Sequence, residues 1–171
     1  MKKPGKFFTE IIKPERGTLF RGIALGTPIA AVKELEGKKF EKETKIMHFV
    51  AYTLNFQRGY RDKYKVVYYY DKEQKVNFIE ALVRYDPEEA TKMTLAIFTT
   101  LCQEVDEYLQ RALGEPNSET EEVEDLGPVT TKTWVYRKEA IPTEVTQMYY
   151  RDAKPGNPAE MKLILQPYTE A

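Results

Sequence analysis

Reactive side chains are scarce in this sequence: it holds one histidine, His48, and one cysteine, Cys102. A zinc site needs several His or Cys ligands, and they are absent from the chain. Cys102 sits among apolar residues at helical spacing, where a small buried hydrophobe is the expected state. No cation or base beside it would favour the thiolate, and a Cys102–His48 nucleophile pair would depend on the fold bringing the two together. A lone cysteine also excludes an intrachain disulfide. The glycines are scattered, and no Gly-Lys-Ser/Thr occurs, so a phosphate-cradling loop is not expected. Carboxylates are the remaining route to acid–base chemistry. Glu80 shares a strand face with Phe78 and Leu82, surroundings that could raise its pKa. Arg84 lies on that face too, so a solvent-facing glutamate is the simpler reading. Neither a catalytic set, a metal set nor a cofactor motif emerges.

Tyr and Arg offer a different chemistry. The 12 tyrosines include the clusters Tyr68–Tyr70 and Tyr149–Tyr150, and Arg58, Arg61, Arg84 and Arg151 lie in or beside the same strand-like runs. Tyr and Arg are enriched at the centres of protein interfaces. Tyr69, Arg84, Tyr149 and Arg151 are therefore the candidate binding residues, with core and sheet-surface packing as the alternative role for the tyrosines. The net charge of −1 disfavours nucleic acid, whose binders neutralise phosphates. A protein partner is expected, a homo-oligomer is left open, and no cofactor is called for. The alternative is a small-molecule-binding domain or an acid–base enzyme with a pocket between helix and sheet. No run approaches the ~18 apolar residues of a membrane span. Met1, Lys2 and Lys3 begin like a signal peptide, but Pro4, Gly5, Thr9 and Glu10 interrupt the stretch where its apolar core would lie. A cytoplasmic protein is therefore expected.

The elements that must position these residues are read from periodicity and punctuation. Phe7–Phe8 and Ile11–Ile12 could form a short helix, broken by Pro14 to Gly17, before a strand at about Leu19–Leu25. Thr27 and Pro28 suit the N-cap and first position of a short helix carrying Ile29, Val32 and Leu35, closed by Gly37. Strands succeed it at Ile46–Phe56, Tyr64–Tyr70 and Val76–Tyr85, with turns at Arg58-Gly59 and Asp71-Lys72. Asp86, Pro87 and Glu89 then form a capping-box-like start for a long helix ending at Gly114 and Pro116. Its expected apolar stripe is Ala90, Met93, Ile97, Leu101, Val105, Tyr108 and Ala112, flanked by Phe98, Cys102, Leu109 and Leu113. Glu115 to Asp125 is acidic, lacks the spacing of a calcium loop, and has too little apolar material to pack. A mobile loop is expected there, with a cation or basic-partner site as the alternative. Thr131–Ala140, Thr143–Tyr150 and Glu160–Gln166 complete the strands.

This order predicts a single α+β domain over residues 1–171, an antiparallel sheet of about six to seven strands covered on one face by a short and a long helix. Each helix precedes a three-stranded meander, which suggests repeat halves 19–85 and 86–167. Leu25-Gly26-Thr27-Pro28, Val32, Leu35 and Gly37, echoed by Leu113-Gly114-Glu115-Pro116 and Trp134, resemble the pattern of a known fold. It is the one shared by β-lactamase inhibitory protein and the small lipoprotein of the outer-membrane assembly machinery. The resemblance implies a helix layer on an antiparallel sheet that docks protein partners. The lipoprotein's leader and lipidated cysteine have no counterpart here, and no residue matches the inhibitor's active positions.

Overall fold

Alternation along Val76–Tyr85 puts Ile79, Ala81 and Val83 on one side of a strand, all buried, and neighbouring strands continue the same apolar face. The computed structural model describes residues 19–37, 40–44, 46–57, 61–150 and 152–170. In it, eight strands form one sheet: β1 (Phe40–Thr44), β2 (Phe49–Gln57), β3 (Arg61–Tyr70), β4 (Val76–Tyr85), β5 (Ser118–Glu124), β6 (Gly127–Tyr136), β7 (Thr143–Tyr150) and β8 (Ala159–Pro167). Their order is β1-β2-β3-β4-β8-β7-β6-β5, and every neighbouring pair is antiparallel. Helix α1 (Ile29–Glu36) precedes the first four strands and α2 (Lys92–Leu113) the last four. Each helix thus leads into a four-stranded meander, and the two meanders meet at a β4–β8 seam.

Both helices pack on one face. Ile29 and Val32 of α1, and Leu95, Phe98, Leu101, Cys102, Val105 and Leu109 of α2, join Val66, Tyr68, Trp134 and Leu163 of the strands in the buried core. Each such aliphatic or aromatic side chain contributes roughly 1.5–3 kcal/mol by leaving water. The Trp134 indole N–H donates to the Gly114 carbonyl at 2.9 Å, satisfying a carbonyl at the C-terminus of α2 that the helix itself leaves bare. Under α1, the Arg21 guanidinium donates twice to the Glu36 carboxylate, both at 3.0 Å, and the Tyr68 hydroxyl donates to it at 2.7 Å. Burial, the largest influence on Arg21, works against its charge, but the charge and hydrogen bonds of Glu36 outweigh it and raise the pKa. Burial, followed by the charge of Glu36, pushes the Tyr68 phenol well up.

Several elements differ from the expectation. The sheet has eight strands because Phe40–Thr44 and the acidic Ser118–Glu124 both pair. The acidic segment is therefore an edge strand and not a loop. With every residue of β5 exposed, it needs no apolar alternation, and backbone pairing to β6 holds it. Leu19–Leu25 forms turns, not a strand, because its continuation is used elsewhere. Gly26, at φ 88°, and Thr27 exchange backbone hydrogen bonds with Val76, while the Ile29 amide donates to the Gln74 carbonyl. A Cβ at Gly26 would sit 3.1 Å from Ile141. Pro28 takes the N-cap position of α1, one residue later than expected, and the Thr27 hydroxyl instead accepts from the Ala24 amide at 3.2 Å.

Helix α2 begins at Lys92, not at Asp86. Asp86–Ala90 is a separate turn in which the Glu89 and Ala90 amides donate to the Asp86 carbonyl and Glu89 accepts from the Asp86 amide. Ala90 is buried and its carbonyl accepts from the Gly156 amide, so tertiary packing breaks the helix there. Thr91 then makes a capping box with Thr94. The buried stripe is rotated accordingly: Leu95 is in the core, while Met93 is 56% exposed. In α1, Glu36 is buried and Leu35 exposed, because the carboxylate serves Arg21 and Tyr68. The expected helix at residues 7–12 and the turn at Arg58-Gly59 lie outside the described residues.

Candidate functional site

Pairing register sorts the strand side chains onto two faces. The face turned from the helices carries Val67 opposite Glu80, Glu80 opposite Ile164, and Ile164 opposite Thr146. A second row runs from Lys65 through Leu82 and Lys162 to Met148. Tyr69 lies between Phe49 and Phe78 at the end of these rows. Its ring meets Phe49 at 5.6 Å and Phe78 edge-on at 5.4 Å and 84°. Most of these side chains are half-buried, with Ala51 and Val67 fully covered. The two described helices make their contacts with its opposite, through Glu36–Tyr68, Phe98–Tyr85 and Cys102–Gln147.

Charges are interleaved with the apolar rows. Lys162 donates to Glu160 at 3.0 Å, the main reason its pKa is raised, and Arg84 pairs with Asp86 at 2.9 Å and lies 3.6 Å from Glu160. Burial first, then the Glu80 carboxylate, raises the Tyr69 phenol's pKa, with Lys162 acting in the other direction. Glu80 itself makes no hydrogen bond among the described residues. It stands where the alternation of β4 puts it, beside Phe78 and Leu82 on the helix-free face.

A cleft of about 670 Å³ opens at the end of this face, lined by Tyr69, Phe78 and Glu80 of the strands and by the turn Ile46-Met47-His48. His48 is outside the strand expected for it: β2 starts at Phe49, and His48 takes φ 50° in the turn, a conformation uncommon for a non-glycine residue. Its ring stacks on Tyr70 at 5.4 Å and 3°. Ile46 is 94% and Met47 66% exposed. A second cleft, of about 100 Å³, lies between Tyr149, Tyr150, Met148 and Lys162.

Of the four candidate binding residues, Tyr69 and Arg84 share the helix-free face. Tyr149 does not join them there. Register puts it beside Gln147 and Val145 on the helix side, across from Thr130, and burial, its largest influence, raises its phenol's pKa. Tyr150 is the outward member of that pair and donates to Glu124 at 2.8 Å. Arg151 lies outside the described residues. Alternation already put Phe78 on the face of Glu80, but the sequence reading missed Ile164, Lys162 and the Ile46–His48 turn as surface features. Nothing local marks a turn rich in apolar residues.

Cys102 and His48 are not brought together as a pair. Cys102 is buried in α2, where burial raises its thiol's pKa far above the usual range, and its carbonyl accepts from the Gln147 side chain at 3.1 Å. Among the described residues no group of three or more His, Cys, Asp or Glu is arranged to hold a metal ion, and no helix is long and apolar enough to cross a membrane. No family model, curated protein or solved structure matches this chain.

Proposed function

We propose that this chain is a non-enzymatic binding protein that engages another protein through the helix-free face of its sheet. The observation that supports this best is the set of half-buried side chains on that face, Leu82, Ile164 and Met148 in the two rows and the Tyr69–Phe78 pair beside them. Half-exposed aromatic and aliphatic side chains interspersed with charged ones are the mixture found at many protein interfaces. The face is favoured over the sheet edges. Strand β5 carries Glu119, Glu121, Glu122 and Glu124 along one edge, and charge along an edge discourages an added strand.

The test is capture of a partner by two forms of the protein from lysate of the source cells. The second form, Leu82→Glu/Ile164→Arg, puts charges into both rows without touching the helix side. Wild-type protein should retain a stoichiometric partner identified by mass spectrometry, and the variant should lose at least about tenfold of it while keeping the same circular dichroism. Absence of a stoichiometric partner at every salt concentration, or equal retention by the folded variant, overturns the reading.

A further inference from the structure

The cleft at the end of the face has a composition that selects among partners. Its aromatic wall is built from Tyr69 and Phe78, whose rings meet edge-on at 5.4 Å, and from the stacked His48 and Tyr70. Two carboxylates line it, Asp71 and Glu80. They are not equivalent. Asp71 Oδ1 accepts from the backbone amides of Glu73 and Lys75, at 2.9 and 3.0 Å, and so is committed to holding its turn. Glu80 has no hydrogen bond among the described residues, although it is half-buried beside Phe78. Of the lysines nearby, Lys162 is bonded to Glu160 at 3.0 Å, and Lys72, also on the wall, forms no ion pair with Glu80. A half-buried carboxylate that makes no hydrogen bond among the described residues and meets the Lys162 charge only through space, next to aromatic faces, repels an anion and penalises a wholly apolar occupant that would strip its water.

The rim adds a second requirement. Ile46 and Met47, exposed to 94% and 66%, line the same cleft as the carboxylate. An occupant that suits both has an apolar stem and a cationic head, which is the build of an arginine or lysine side chain. Aromatic faces attract such heads, and the planar guanidinium stacks on them better than an ammonium does.

We propose that this cleft receives one arginine side chain of the partner protein, its guanidinium against Tyr69 and Phe78 beside Glu80 and its stem between Ile46 and Met47. The proposal rests on the protein-docking reading of the same face and names the chemistry by which the partner is anchored. Thiol, metal or group-transfer chemistry plays no part in it.

The experiment is an amide nitrogen–proton correlation titration of the whole protein with three blocked tripeptides, Gly-Arg-Gly, Gly-Lys-Gly and Gly-norleucine-Gly. The arginine peptide should give saturable shifts at Met47, Tyr69, Asn77 and Phe78, with a dissociation constant on the order of millimolar, weakened by added salt. The lysine peptide should bind more weakly, and norleucine should not saturate. Glu80→Gln, and separately Tyr69→Leu, should each weaken the arginine peptide at least about fivefold while leaving the spectrum elsewhere unchanged. Equal shifts from arginine and norleucine, no saturation by about 50 mM, or wild-type affinity in Glu80→Gln overturns the proposal. If the peptides fail but the captured partner is still lost on Leu82→Glu/Ile164→Arg, only the arginine anchor falls. If no partner is captured either, the docking reading falls with it.

Discussion

Replacing Arg21 with methionine would strand the Glu36 carboxylate between α1 and the sheet. The Glu36 side chain is 1% exposed and that of Arg21 16%, so water cannot take over the two hydrogen bonds at 3.0 Å that the guanidinium supplies. Removing one partner of a buried ion pair costs about 3–5 kcal/mol. The Tyr68 hydroxyl, 2.7 Å from Glu36 Oε1, remains and is a hydrogen bond to charge worth about 1.5–3 kcal/mol. The loss for Arg21→Met should therefore fall near the lower end, about 3 kcal/mol. Replacing all three members, as Arg21→Met/Glu36→Met/Tyr68→Phe, removes the unpaired groups as well as the bonds, and should recover about 2 kcal/mol or more of that loss. Urea unfolding followed by far-ultraviolet circular dichroism measures both. With a slope of roughly 1–3 kcal/mol per molar, the single variant should shift its midpoint by about 1 M or more. A single variant within about 1 kcal/mol of wild type, or a triple variant no more stable than the single, would refute the argument that the clip is a closed, water-free network.

Other consequences are open to direct measurement. Alkaline pH should destabilise the fold. In the unfolded chain Cys102 and Tyr68 ionise near 9.0 and 10.0, while burial keeps both protonated when folded. The unfolded state then binds fewer protons above about pH 9, so stability complete below that pH falls as pH rises, by up to about 1.4 kcal/mol per pH unit for each group. Cys102→Ala should reduce that slope in pH-dependent urea unfolding by about one proton. The same burial predicts that a thiol reagent such as dithionitrobenzoate reacts with Cys102 only as fast as the protein unfolds, which the absorbance of the released thiolate reports. Thr91→Ala should cost about 1 kcal/mol by removing the cap of α2, and Asp86→Ala only a few tenths, the reverse of what a helix starting at Asp86 requires. Trp134→Phe should cost about 1–3 kcal/mol in the same unfolding assay, since the Gly114 carbonyl loses its indole donor.

The strands with a covered face were legible because burial imposes a period of two: Val76–Tyr85 and Thr143–Tyr150 have the bounds read from the sequence. The failures have physical causes. β5 carries the alternation Glu119, Glu121, Val123 against Thr120, Glu122, Glu124 with both faces in water, so no hydrophobic period marks it. Asp86-Pro87-Glu88-Glu89 and Thr91–Thr94 are both good helix starts, and the choice between them is made by Ala90 packing and the Gly156 amide, far away in sequence. For adjacent tyrosines such as Tyr149 and Tyr150, alternation says that they face opposite ways but not which faces the core. The polar Gln147, buried beside Tyr149 on the helix side, disguises the inward set. Of the site, Tyr69 and Arg84 were within reach of alternation, whereas the cleft depends on a turn whose apolar tip carries no local signal.

The seam between β4 and β8 has a kinetic meaning. Hairpins such as β3–β4 and β6–β7 close short loops, whereas pairing Ile79 with Leu165 or Val83 with Met161 must wait for segments far apart in the chain to meet. Until it forms, each half presents a bare strand lined with Ile79, Ala81 and Val83, or with Met161, Leu163 and Leu165. These are the sequences that a second molecule offers equally well. Refolding at high concentration should accordingly yield exchanged dimers, in which the β4 of one chain is completed by the β8 of another.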